Sequence, residues 1–164
     1  MDNFLEKVIR IVFRILHIEV KERTVGSLVQ FIKFGIVGLS NSAVGYALNI
    51  ATLLLLKPYK VSWDYYAGNM VGFTLSVLWS FYWNNRFVFK LREGEKRNLA
   101  LALFKAYLSY AFTGVVLSNI LSYFWIDVLE ISKMTAPLLN IVIGVPINFT
   151  MNKMWTFKDK GLYR

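Results

Sequence analysis

The stretch Ser76-Val77-Leu78-Trp79-Ser80-Phe81-Tyr82-Trp83-Asn84-Asn85-Arg86-Phe87-Val88-Phe89-Lys90 returns, altered, sixty-eight residues later as Gly144-Val145-Pro146-Ile147-Asn148-Phe149-Thr150-Met151-Asn152-Lys153-Met154-Trp155-Thr156-Phe157-Lys158. The shift lays Phe81 on Phe149, Asn84 on Asn152, Phe87 on Trp155, Phe89 on Phe157 and Lys90 on Lys158, a shared Phe-x-x-Asn-x-x-aromatic-x-Phe-Lys. A period of this length is too long for a solenoid unit and suits a duplicated pair of membrane helices.

Composition agrees. The chain is 56% hydrophobic and 16% aromatic, with a mean hydropathy of +0.46, well above soluble averages. Four apolar spans are predicted. Residues 34–56 carry no charge and are long enough to cross a hydrocarbon core of about 30 Å at about 1.5 Å per residue. Residues 65–83, 106–126 and 134–152 follow, with Pro137 near the start of the last and Pro146 in its middle, where a kink is expected. The short connections 57–64 and 127–133 pair the spans into two tight hairpins.

Residues 3–23 read differently. Asn3, Lys7, Arg10, Arg14, His17 and Lys21 recur at three- and four-residue steps as one polar stripe, with Phe4, Leu5, Val8, Ile9, Val12, Phe13, Ile15 and Leu16 filling the wider remainder. Basic residues are too dense for a crossing. Two readings stand: an interfacial amphipathic helix, or a helix packed on the cytoplasmic end of the bundle. The expected organisation is thus an amphipathic segment over 1–28, a four-helix membrane domain over 29–158 and a tail over 159–164.

Orientation follows from Lys and Arg. Of nineteen basic residues, only Lys57, Lys60 and Lys133 fall on the hairpin-loop side; the rest lie in the amino-terminal segment, the central loop and the tail. Both termini and the central loop are therefore expected in the cytoplasm. The formal charge of +9 then reports topology and anionic lipid headgroups rather than nucleic acid. Trp63, Tyr65, Tyr66 and Trp125 are expected as an outer aromatic belt, and Trp83, Phe87, Phe89, Trp155 and Phe157 as an inner one. Since both hairpins start on the same side, the repeat is parallel, related by an axis along the membrane normal. The fold class is an all-α membrane protein: four transmembrane helices as two parallel-repeated hairpins, preceded by an amphipathic interfacial helix.

Gly68, Gly72, Ser76, Ser80 and Asn84 recur every four residues, and the shift turns them into Ala136, Asn140, Gly144, Asn148 and Asn152. Small residues at this spacing let membrane helices approach closely, and amides facing lipid would lack partners, so the rows face protein or water. Packing explains any single Gly or Ser. Six amides, Asn41, Asn49, Asn84, Asn140, Asn148 and Asn152, with Ser76 and Ser80, exceed what adhesion needs and make a neutral groove fitted to an uncharged polar cargo such as a sugar. No Asp or Glu falls inside a span, which opposes proton-coupled or cation exchange. At the cytoplasmic mouth Arg86, Lys153, Lys33 and Lys105 form a candidate phosphate site, with positive-inside anchoring as the plainer explanation of each.

Enzyme readings lack residues. The chain has no cysteine and one histidine, and neither metal-ligand spacing, a Gly-rich phosphate loop, nor a nucleophile elbow occurs. The central loop 92–98, with Glu93 and Glu95, reads as a solvated charge run. No catalytic residue, cofactor or metal is assigned.

The first span's Phe31-x-x-Phe34-Gly35-x-Val37-Gly38 with Asn41 after it, and two spans ending in Phe-x-x-Asn-x-x-aromatic-x-Phe, resemble the GtrA-like family of small bacterial and archaeal membrane proteins. The resemblance covers residues 29–158. The second copy is the closer match, with Asn148-Phe149, Asn152-Lys153 and Trp155-Thr156-Phe157; in the first, Ser80 replaces an Asn, Asn85 stands where a basic residue is usual, and the cation moves to Arg86. The resemblance implies a flippase-type role in the cytoplasmic membrane, moving a polyprenyl-phosphate-linked sugar to the outer leaflet for glycosylation of cell-surface polysaccharide or teichoic acid. The alternative is a scaffold that recruits or stabilises a glycosyltransferase. A small exporter inserted in both orientations is opposed by the charge bias. Four helices enclose little space, so a homo-oligomer, most simply a dimer, is expected.

Overall fold

The computed structural model describes residues 1–91, 94, 96–132 and 135–158. The expected tail 159–164, Arg92, Glu93, Glu95, Lys133 and Met134 lie outside the described residues. Among those described there are five helices and no strand: α1 Asp2–Ile15, α2 Glu22–Leu56, α3 Asp64–Trp83, α4 Leu99–Val128 and α5 Ala136–Met151. Among the described residues two stretches, Glu22–Tyr59 and Leu99–Val128, are long and apolar enough to cross a membrane. α3 has 20 residues and α5 16.

Boundaries differ from expectation at the amino terminus. The amphipathic helix ends at Ile15, His17 takes a left-handed φ of 55°, and a new helix starts at Glu22, running unbroken into the first predicted span. A left-handed residue cannot continue a right-handed helix, and β-branched Ile18 and Val20 favour the extended link that follows. The break therefore falls inside the segment predicted as one helix over 3–23. In α5 the helix continues through Pro146, with Thr150 Oγ1 donating to the Pro146 carbonyl at 2.8 Å.

α2 and α3 share the largest interface, and glycine sets its closeness. A Cβ placed on Gly72 would sit 2.8 Å from the Gly45 carbonyl oxygen, and one on Gly45 would meet Ser76 at 3.3 Å. The second hairpin is built otherwise. Gly144, the counterpart of Ser76, has nothing within 4 Å of an added Cβ, and Asn140, the counterpart of Gly72, donates to the Ser118 carbonyl at 3.2 Å and to Ser122 Oγ at 2.8 Å. Its partner α4 widens into π turns at Phe112–Leu117 and Phe124–Val128. An amide is larger than a hydrogen, so the duplicated row cannot close twice at the same distance.

The repeated motif closes the core. α3 and α5 each end in a five-residue π turn, Asn84–Val88 and Asn152–Thr156. Each turn is closed by the same bond, Phe89 N–H to the Asn84 carbonyl and Phe157 N–H to the Asn152 carbonyl, both 2.8 Å. The aromatic contacts obey the shift. Phe81 stacks on Phe157 with centroids 5.5 Å apart, its counterpart Phe149 stacks on Phe89 at 6.0 Å, and Phe89 stacks on Phe157 at 4.8 Å. Exchanging the two copies returns the same set of contacts, so a local two-fold axis passes between the Phe89 and Phe157 rings. These two rings are only 5% and 2% exposed, and with Phe34, Val37 and Val88 they form the core. Their assignment to an inner aromatic belt is thereby corrected: a buried ring cannot reach headgroups, whereas Phe87 and Trp155 remain on the surface.

α1 lies against α2. Ile9, with Leu5 and Phe13 beside it, packs on Val25, Val29 and Leu28, and Arg10 pairs with Glu22. Phe4, Val8, Ile11, Val12 and Ile15 form a second apolar ridge that stays exposed. The apolar arc is wider than one neighbour can cover.

Candidate functional site

The predicted amides fall into three places. Asn49 Nδ2 donates to Asn69 Oδ1 at 2.8 Å across the first hairpin, where Asn41, Ser42, Gly45, Gly72 and Ser76 line a cleft of about 410 Å³. Ser76 itself is buried and its hydroxyl bonds the Phe73 carbonyl. Asn140 lies between α4 and α5. Asn84, Asn148 and Asn152 gather at the π turns, with Asn84 and Asn152 at 1% and 0% exposure.

At the π turns the two copies solve one problem differently. Asn84 Nδ2 donates to Ser80 Oγ at 3.1 Å and, more weakly, to the Tyr110 hydroxyl at 3.4 Å, and Ser80 shares a 2.5 Å bond with the same hydroxyl. Asn152 instead turns back on its own helix, donating at 2.9 Å to both the carbonyl and Oδ1 of Asn148. The two-fold carries Tyr110 onto Ser42, which is too short to take Tyr110's place. Buried Ser109 and Thr156 share a bond of 3.2 Å nearby. The result is a buried polar seam from Ser80 to Thr156 among apolar helices.

All three places are under-satisfied. The Oδ1 atoms of Asn41, Asn84, Asn140 and Asn152 are buried and have no donor. A buried acceptor without a donor costs about 1–3 kcal/mol, and four such amides, two of them at equivalent positions of the repeat, exceed the occasional orphan of a packing interface. They are poised to accept from hydroxyl or amide donors.

The four predicted phosphate-binding cations each have a separate partner. Lys33, buried on α2, donates to Asp2 Oδ1 at 2.7 Å. Lys153 Nζ donates to Ser27 Oγ at 2.9 Å and lies 5.5 Å from the Phe149 ring centroid. Lys105 reaches the Trp155 carbonyl at 3.4 Å and sits over that indole. Arg86 is exposed, with a long contact of 3.5 Å to the Tyr82 hydroxyl.

Arg97 was read as part of the solvated loop and is instead a structural centre. Its guanidinium donates to Asn85 Oδ1 at 2.5 Å, to the Phe89 carbonyl at 3.1 Å and to the Phe157 carbonyl at 3.0 Å, with its carbon 5.1 Å from the Phe157 ring centroid. One planar cation thus ties both π turns, where helix C-termini leave carbonyls unpaired and carry partial negative charge. Asn98 holds it in place by capping α4, its side chain accepting from Leu101 N–H at 3.0 Å. Neither Arg97 nor the Asn98 cap was singled out in the sequence. Tyr110 and Asn69 carried no separate signal either, and Thr156 stood only as part of the repeated motif.

Duplicated helical hairpins, closed by a two-fold at one end and lined by unsatisfied amides, define a small membrane-domain architecture. The chain belongs to the GtrA/DPMS transmembrane domain family, whose model matches residues 33–157. It is similar to the cell wall teichoic acid glycosylation protein GtcA of Listeria monocytogenes serovar 1/2a, with 26% identity over 113 residues, 69% of this chain and 77% of that protein. No solved structure matches it. The matched family segment begins at Lys33, so α1 precedes it.

Proposed function

We propose that this chain moves a polyprenyl-phosphate-linked sugar from the cytoplasmic to the outer leaflet of a bacterial or archaeal cytoplasmic membrane, supplying glycosylation of a cell-surface polymer such as teichoic acid. The carrying observation is the set of buried, donor-less oxygens on Asn41, Asn84, Asn140 and Asn152. A sugar brings several hydroxyl donors and no charge, which is what such acceptors require. Family membership and the relative's name support the same reading.

In this reading α2 to α5 cross the membrane with both termini in the cytoplasm, and the sugar passes along the amides while its lipid tail stays in the bilayer. Arg86, Lys33, Lys105 and Lys153 attract the phosphate at the cytoplasmic side, and the exposed ridge of α1 rests on anionic lipid. The role is non-catalytic, transport runs downhill as the sugar is consumed outside, and the working unit is a homo-oligomer. Reconstitution in liposomes with a labelled polyprenyl-phospho-sugar tests it: accelerated leaflet exchange is expected, and equal exchange with and without protein overturns it.

A second reading has one observation in its favour. α1 lies outside the matched segment and exposes apolar side chains, which suits docking to a membrane glycosyltransferase. Co-purification with such an enzyme, together with full surface glycosylation by a chain lacking the Asn84, Asn148 and Asn152 amides, would establish the scaffold and exclude transport through the seam.

A further inference from the structure

Lys33 is 4% exposed, and its ion-pair partner comes from another helix, at the very start of α1. It opens on a pocket of about 290 Å³ whose other walls are Met1, Ile36, Val37, Ser40, Trp79, Trp83 and Phe87. That volume is at the low end for small-molecule sites, and the walls are almost wholly apolar. Trp83 lines the same pocket, and its indole Nε1–H is buried without an acceptor. Trp79 is satisfied, donating to Ser40 Oγ at 3.1 Å.

A buried ammonium requires an anion, and here the anion is a carboxylate delivered from the rim. The Asp2 side chain is 46% exposed against 5% for Lys33, so the acid reaches in while the base is built in. A helix that supplies one carboxylate to a cation in an apolar, aromatic-walled pocket occupies the position an external anion would take. Among the described residues a further ion pair joins α1 to α2, Arg10 with Glu22, and it lies more than two turns along α1 at exposed side chains. The first turn of α1 can therefore leave the pocket while Ile9 and Phe13 keep the helix on α2.

We propose that the Lys33 pocket is a binding site for a lipid phosphate, with the ammonium and the Trp83 N–H on the phosphate and the apolar walls on the adjoining chain, and that Asp2 is a tethered competitor which α1 withdraws when the lipid enters. The proposal rests on the phosphate-attracting role given to Lys33 above and adds the pocket, the chain-binding walls and the plug. Free phosphate satisfies the cation but not the walls, so it binds weakly.

The test uses the full chain in phosphatidylcholine nanodiscs, with farnesyl phosphate, phosphatidic acid and inorganic phosphate as separate probes. The chain has no cysteine, so Asn3→Cys and Tyr82→Cys can carry spin labels without background, and both positions are exposed. Farnesyl phosphate is expected to lengthen the label distance. Asp2→Asn is expected to tighten farnesyl phosphate binding about fivefold, the factor set by losing a competing pair worth about 1 kcal/mol. Lys33→Gln should abolish binding in either background, and Lys33→Arg, which keeps the charge if Gln fails to fold, should retain it. A response to farnesyl phosphate alone identifies the prenyl lipid as ligand, and one shared with phosphatidic acid identifies lipid phosphates in general. Equal affinity of wild type and Asp2→Asn, or inorganic phosphate acting as well as the lipids, overturns the proposal. Either of these results beside intact leaflet exchange leaves the translocation reading standing; tighter binding without exchange removes that reading and leaves the plug.

Discussion

The rings of Phe89 and Phe157 stack 4.8 Å apart at 15°, and the carbonyls of these same two residues receive one guanidinium, that of Arg97. Sixty-eight residues separate them in the chain, yet they meet on the internal two-fold at the point where both repeats end.

Arg97 is expected to matter for stability more than its loop position implies. Replacing it with Met removes charge-assisted bonds to two carbonyls and to Asn85, and should cost about 2 kcal/mol. Lys should rescue poorly, because a point charge cannot reproduce the fork. Thermal melts in detergent check this, and a melt of Arg97→Met equal to wild type would refute it.

The two hairpins should answer differently to one methyl group. Gly72→Ala drives a Cβ to 2.8 Å from a backbone oxygen and should destabilise by about 1–3 kcal/mol. Gly144→Ala meets open space and should be neutral, or stabilise by up to about 1 kcal/mol through helix propensity. Equal effects would mean that the hairpins pack alike.

The amide seam predicts a separation of transport from folding. Asn152→Leu removes an oxygen that has no donor, and with it only bonds to Asn148 on the same helix, so the chain should fold while leaflet exchange falls about tenfold, the equivalent of one lost hydrogen bond. Tyr110→Phe removes the hydroxyl shared by Ser80 and Asn84, and should lower stability as well. Unimpaired exchange by Asn152→Leu would separate this amide from the sugar path.

The Asp2–Lys33 contact should be insensitive to pH across the neutral range. The hydrogen bond from Lys33 is the main cause that holds the Asp2 carboxyl below its ordinary 3.8, with the positive charge of Lys90 adding to it and desolvation opposing. A depressed carboxyl stabilises the docked state above its ordinary value and loses that contribution as pH falls through the lowered one. The label distance between positions 3 and 82 should thus stay short down to about pH 4 and lengthen below it. Lengthening between pH 5 and 7, or an unchanged transition in Asp2→Asn, would contradict the assignment.

The all-helical architecture, the duplication and the family were legible in one dimension, because they rest on composition, hydropathy and a repeat that survives as letters. Phe81, Asn84 and Phe89 matched Phe149, Asn152 and Phe157 before any contact was known, and the cause is local: each motif makes the same π turn from the same residues. What the chain does across distance was not legible. Asn84 and Asn152 align in sequence, but one reaches Tyr110 and the other turns back on Asn148, a choice made by what the opposite hairpin presents. Lys33 looked like a free cation at a mouth and is buried under Asp2, thirty-one positions away. Arg97 looked solvated and binds both repeats, because only tertiary packing brings two helix C-termini within reach of one side chain. Sequence determines which turn forms and which face is apolar, since those depend on neighbours in the chain; only the folded structure decides which charge is covered and which amide oxygen is left without a donor.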